Sequence, residues 1–288
     1  MPNTLSTQLV HGMDAQEYHH TQALGSTSLR ILSDPEITLK EAHYQLTTPS
    51  EPKPAYELGT LAHAHILEGT FDELVHRVDA DNYRSKQAQQ ERDLARENGL
   101  IPLNNSEYDT VVQEVHAMAD SVLSDPIAGP LVRDHEPELS LFWETDGVPL
   151  KARLDAWHQN TNTIVDLKTV RSARPNDFQK QISDLGYYIQ ARHYLNGALQ
   201  LLTDETPDWY FVAIQKTPPY TVSVHLLDNN ALLDAQMRID YAIDRYKTAE
   251  RTGWDHGYTK VFEQELTPWE AMRNETLDEL QIELELTK

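Results

Sequence analysis

From Glu138 to Thr169 apolar and polar residues alternate with a period of two, which predicts three short antiparallel strands. Asp146-Gly147 is the two-residue hairpin signal between the first two strands. Gln159-Asn160-Thr161-Asn162 is a four-residue connection to the third. A turn centred on Asp146-Gly147 sets Glu138 opposite Asp155, and one centred on Asn160-Thr161 sets Asp155 opposite Asp166. Leu150, Ala152, Leu154 and Ala156 then form an apolar face that Val165 and Leu167 join. Lys151, Arg153, Asp155, Asp166 and Lys168 form the polar face.

Helical periodicity surrounds this unit. Leu29 to Leu32 reads as a short helix stopped by Asp34-Pro35, and Lys40 to Gln45 as another turn before a loop at Thr47 to Pro54. Glu57 to Gly69 reads as a helix ending at its glycine. Phe71 to Asp79 suits a short strand or turn. Tyr83 to Asn98 is a basic helix, either a solvated face with ion pairs or an arm contacting phosphates. Ser106 to Leu123 is amphipathic, with Tyr108, Val111, Val115, Met118 and Val122 at helical spacing. After the strands, Ser172 to Gly197 returns to helix. Trp209 to Gln215 and Thr221 to Leu227 are strands about the turn Thr217-Pro218-Pro219, and Asn229 to Arg251 is a long helix. The order α-β-β-β-α-β-β-α predicts one mixed α/β (α+β) domain with helices packed on a central sheet. The expected division is a loosely structured segment 1–25, a domain over 26–262 and an acidic tail or helix over 263–288.

Composition narrows the classes. The 288 residues, 39% hydrophobic and 24% charged, suit a globular protein, and no apolar run reaches the length of a membrane span. The absence of cysteine excludes disulfides and cysteine-metal sites. With no basic region and apolar core at the N-terminus, the expected location is the cytoplasm, of a bacterium or of a phage's bacterial host. A net charge of −22 argues against coating nucleic acid through global charge, but leaves room for a local basic channel.

Three carboxylates stacked across neighbouring strands repel one another and require a compensating cation. Asp155, Asp166 and the Leu167 carbonyl offer hard oxygen ligands suited to Mg²⁺ or Mn²⁺, with Glu138 completing the shell or holding a second ion. Lys168 is placed to orient a metal-bound water or take its proton. The rival reading is an ion-pair ladder in which Arg153 and Lys168 balance the carboxylates; such a ladder would more naturally alternate its signs across the strands.

Five motifs in order resemble the PD-(D/E)XK nuclease superfamily and, within it, the RecE-type (exodeoxyribonuclease VIII-like) exonucleases. They are Gly59-Thr60-x-x-His63 with Ile66-Leu67-Glu68, Glu138 to Trp143, Arg153-Leu154-Asp155, Asp166-Leu167-Lys168-Thr169, and Tyr187 to Ala191. Leu154 stands where the family pattern has proline, a strand position of little chemical consequence. The resemblance implies a restriction-endonuclease-like core with a mixed central sheet and extra N-terminal helices. It implies Asp155, Asp166, Glu138 and His63 as metal ligands, with His63 favoured over His65 by its spacing, and Lys168 as the catalytic lysine. Gln190, with Tyr187 or Tyr188, would support the site or contact DNA. Arg153, Arg171, Arg174, Arg84, Lys86 and Arg92 are candidates for supporting the site or lining a DNA channel.

For function, the resemblance implies a Mg²⁺-dependent exonuclease that degrades linear double-stranded DNA from 5′ ends during recombination. It also implies a homo-oligomeric ring and a single-strand annealing partner, often in a phage setting. Alternatives are a related nuclease of different polarity, in repair or Cas4-like, or a catalytically silent nucleic-acid-binding protein of the same fold. The lack of cysteines counts against the Cas4-like branch, whose members typically carry an iron–sulfur cluster.

Overall fold

The computed structural model describes residues 7–48 and 54–286. In chain order the elements are β1 (Gln8–Val10), α1 (Ala15–His20), α2 (Ser26–Leu32), α3 (Leu39–Thr47) and α4 (Pro54–His63), which runs on into a π-helical turn, Ala64–Glu68. There follow α5 (Phe71–Leu74), β2 (Val75–Val78), α6 (Lys86–Glu97), β3 (Ile101–Asn104), α7 (Asn105–Ser124) and α8 (Ala128–Leu131). The remainder is β4 (Glu136–Thr145), β5 (Val148–His158), β6 (Thr163–Val170), α9 (Pro175–Asp184), α10 (Tyr187–Leu201), β7 (Asp208–Gln215), β8 (Val222–His225), α11 (Asn229–Thr252) and α12 (Pro268–Leu286).

Six strands form the main sheet in the order β1-β4-β5-β6-β7-β8. All neighbours are antiparallel except β6 and β7, which are parallel and joined through α9 and α10. β2 and β3 make a separate parallel pair. Local sequence chemistry fixes several boundaries. Thr38 with Glu41 and Asn104 with Glu107 form capping boxes that start α3 and α7. Gly186, at φ 69°, breaks the helix expected over Ser172 to Gly197 into α9 and α10.

Cores lie on both faces of the sheet, not on one. Leu29, Leu32, Leu139, Leu141, Trp143, Leu154, Phe178 and Ile239 pack on the α2, α10 and α11 side. Leu61, Met118, Ala156, Val165, Leu167, Val212 and Ile214 pack on the α4 and α7 side. The single apolar face expected from alternation is therefore corrected. Leu150, Ala152 and Leu154 belong to the first core, while Ala156, Val165 and Leu167 belong to the second.

The segment 7–25, expected to be loosely structured, is ordered into β1 and α1. β1 pairs with β4, and Asp14 caps α1 by accepting from the Gln16 and Glu17 amides. Lys151, assigned to an open polar face, is instead buried under this arm. Its Nζ donates to the carbonyls of Tyr18 (2.8 Å), His19 (3.2 Å) and Thr21 (2.8 Å). Part of the expected loop at Thr47 to Pro54, and residues 1–6 of the N-terminal segment, lie outside the described residues. Among the described residues no helix is long and apolar enough to cross a membrane.

Candidate active site

β4 and β5 hold the expected register on both sides of Glu138, with Leu139 opposite Leu154 and Pro137 opposite Ala156. Glu138 and Asp155 themselves drop out of the ladder. Glu138 sits at φ 52°, a left-handed conformation that costs a non-glycine residue on the order of 1–3 kcal/mol. Between Leu154 and Ala156 the facing inverts from one core to the other. β5 and β6 pair only from His158–Thr163 to Ala156–Val165 and part before Asp155 and Asp166 would meet. The three carboxylates expected as ladder neighbours thus flank a split in the sheet.

Asp155 fills that split: its Oδ2 accepts the Leu167 amide at 2.9 Å and lies 3.6 Å from His63 Nδ1. Asp166, buried on β6, accepts from Gln190 Nε2 of α10 at 2.6 Å through one oxygen and faces Lys168 Nζ at 2.6 Å through the other. Lys168 Nζ lies 4.7 Å from the centre of the Tyr187 ring, a cation–π contact. Glu138 is ion-paired with Arg153. His63, Glu68, Glu138, Arg153, Leu167, Lys168, Arg171, Tyr187 and Lys216 line one cleft of about 820 Å³.

Burial dominates the electrostatics. It pushes Glu138 up to about 7, with repulsion from Asp155 adding to the rise and Arg153 opposing it. It pushes Asp166 up to about 6, with Lys168 opposing. Asp155 is raised for the same reason. Burial lowers His63, and Lys168 lowers it further, so its imidazole is neutral and able to ligate. Lys168 loses some of its charge preference to burial, but Asp166 and Asp155 outweigh that and hold it above the ordinary lysine value.

These residues suit a hard divalent cation. Glu68, Glu138, Asp155 and Asp166 outnumber the cations Arg153 and Lys168 about the same site. The buried Asp166 Oδ2, although beside Lys168, accepts no well-directed hydrogen bond. The ligands are not gathered at one point, however. Among the described residues no group of three or more His, Asp or Glu side chains is close enough to hold an ion as it stands. Glu138 is drawn toward Arg153, and Asp155 toward the Leu167 amide.

Two glycine and helix features position the histidine. A Cβ on Gly59 would meet Thr169 Oγ1 at 2.8 Å, so glycine lets α4 lie close on β6. The π-helical turn after His63 then brings Glu68 into the cleft. Glu68 lies five positions on, off the His63 face of an α-helix, but a π turn closes i→i+5 hydrogen bonds and returns it beneath. In the sequence Glu68 belongs to the motif that follows His63, without a role assigned to it.

Other expected site residues fall elsewhere. Tyr188 does not line this cleft but one on the far side of α9, with Met237 and Tyr241. Arg174 is the exposed N-cap residue of α9, outside the cleft lining. Arg84 and Lys86 precede and open α6 and are also absent from that lining. On α6, Arg92 pairs with Asp93 and Arg96 with Glu57, the ion-paired alternative for that helix.

A family described as "PDDEXK-like domain of unknown function (DUF3799)" matches residues 26–258. A crystal structure of a candidate exonuclease from Eubacterium rectale has the same fold, with a TM-score of 0.63 at 13% identity over 90% of this chain and 97% of that one. A second structure, SSO0001, is 15% identical over 77% of this chain and 85% of its own, but its TM-score of 0.28 carries no argument. No curated protein matches the chain.

Proposed function

Because this chain belongs to the PDDEXK-like family DUF3799, we propose that the cleft is the active site of a divalent-metal-dependent deoxyribonuclease, an exonuclease acting 5′ to 3′ on linear duplex DNA in recombination. The observation that carries this reading is the convergence of Asp155, Asp166 and Lys168 at the split between β5 and β6, with His63 and Gln190 closing on them from opposite layers.

His63, Asp155 and Asp166 would hold the ion, with the Leu167 carbonyl and Glu138 completing its surroundings. A bound Mg²⁺ or Mn²⁺ supplies polarisation of a phosphoryl oxygen and acidification of water. Lys168, kept protonated by its carboxylate neighbours, orients the attacking water and stabilises charge developing on the phosphate. That state favours electrostatic work over proton abstraction. Gln190 fixes the orientation of Asp166, and the Tyr187 ring fixes Lys168. Arg153 holds Glu138 until an ion competes for it.

The same reading gives a cytoplasmic enzyme of a bacterium or phage-infected host, a ring of identical subunits and a single-strand annealing partner. Polarity is tested with linear duplex DNA labelled at either the 5′ or the 3′ end. Early release of 5′ label with 3′ label retained is expected; early release of 3′ label would refute the polarity.

A further inference from the structure

Beyond the metal-facing residues, the cleft carries a second feature at the carboxyl ends of the parallel strands. β6 and β7 stay in register to their last pair, Val170 with Gln215. The next residues are Arg171 and Lys216, and the Lys216 amide donates to the Val170 carbonyl at 2.9 Å, carrying the register past the strand end. Both side chains line the cleft that holds Lys168.

We propose that Arg171 and Lys216 form a clamp for a backbone phosphate of the substrate strand, next to the one being cut. The clamp rests on the nuclease reading above and deepens it. Arg171 stands three residues beyond Lys168, just past the end of β6, so its backbone is displaced by about 10 Å at strand rise from the residue assigned to the scissile phosphate. Arg171 is exposed, while Lys216 is half-buried, and burial lowers its pKa, so an anionic ligand stabilises its charged form. Thr217, also in the lining, follows Lys216 at the rim. In a chain of net charge −22, both basic side chains line the cleft where the substrate strand would lie. The clamp positions the strand and takes no part in bond breaking.

The test is equilibrium binding of a fluorescently labelled linear duplex to the full chain in EDTA, over a range of salt concentrations. Removing one cation that neutralises a phosphate lowers the slope of log K against log salt by about 0.9. Lys216→Ala and Arg171→Ala are each expected to lower the slope by about that amount and weaken binding roughly tenfold. Lys216→Arg is expected to keep both near wild type, and Lys247→Ala, at a surface pair with Asp146, to change neither. Mn²⁺ binding by calorimetry should be unaltered in all four, which separates the clamp from the metal centre. Wild-type slope and affinity in Lys216→Ala and Arg171→Ala, with wild-type cleavage intact, would overturn the clamp alone. A wild-type protein that neither binds nor cuts duplex DNA would overturn the clamp and the nuclease reading together.

Discussion

Gln190 on α10 reaches across to β6 and donates to Asp166 Oδ1 at 2.6 Å, which leaves the other oxygen of that carboxylate to Lys168. The carboxylate is buried, so its orientation depends on these two partners. Gln190→Ala strips one of them and is expected to lower stability by about 1–3 kcal/mol and activity by about 10- to 100-fold. Chemical denaturation and initial cleavage rates check both. A variant with wild-type stability and rate would show that Gln190 does not orient Asp166.

Gly59 and Thr169 are coupled by close approach, since a Cβ at position 59 would stand 2.8 Å from Thr169 Oγ1. Gly59→Ala is expected to destabilise despite alanine's advantage of about 1 kcal/mol in a helix interior. In a Thr169→Ala background the obstruction is gone, and the same change should become neutral or stabilising. An identical Gly59→Ala cost in both backgrounds, measured by denaturation, would place the constraint elsewhere.

The raised carboxylates give a pH dependence with a definite sign. Asp166 at about 6 and Glu138 at about 7 in the fold stand above their unfolded values near 4, mainly through burial. Their contribution to stability is therefore fully present below about pH 4 and is lost as pH rises through 6 and 7. Without divalent ions, Asp166→Asn should gain stability relative to wild type between pH 5 and pH 8. Adding Mg²⁺ at pH 8 should restore stability to wild type more than to the variant. A difference between the two proteins that stays constant with pH would contradict the assignment.

Trp269, Met272, Leu277 and Leu280 of α12 are all exposed, so the helix contributes no buried apolar surface through them. Ending the chain after Leu266 is expected to leave the melting temperature within about a degree. A fall of several degrees would mean that this helix packs against something in solution.

Much of the scaffold was legible because its signals are local. Asp146-Gly147 and the loop Gln159 to Asn162 correctly set the β4–β5 and β5–β6 registers, since turn chemistry fixes register. The amphipathic α7 and α11 followed from helical spacing. The left-handed Glu138 carries no such signal, because glutamate has no local preference for positive φ; the inversion of faces at Asp155 was missed with it. Glu68 stood within the motif Ile66-Leu67-Glu68, but it reaches the cleft through a π turn that a 3.6-residue period does not represent, so no role for it followed from helical spacing. Tyr187 and Tyr188 are consecutive on a helix and cannot share a face, so only one reaches Lys168. β2 falls within the strand or turn expected over Phe71 to Asp79, whereas β1 and β3 are only three or four residues long, too short for alternation to register.

The central claim is that Lys168, beside Asp166 and Asp155, serves a metal-dependent cleavage centre. The most direct measurement is cleavage of end-labelled linear duplex DNA by wild type and by Lys168→Met, each with Mg²⁺ and with EDTA. Wild type is expected to release label only with Mg²⁺, and the folded variant to be slower by about a hundredfold or more. Equal cleavage by both proteins, or cleavage unaffected by EDTA, would contradict the account.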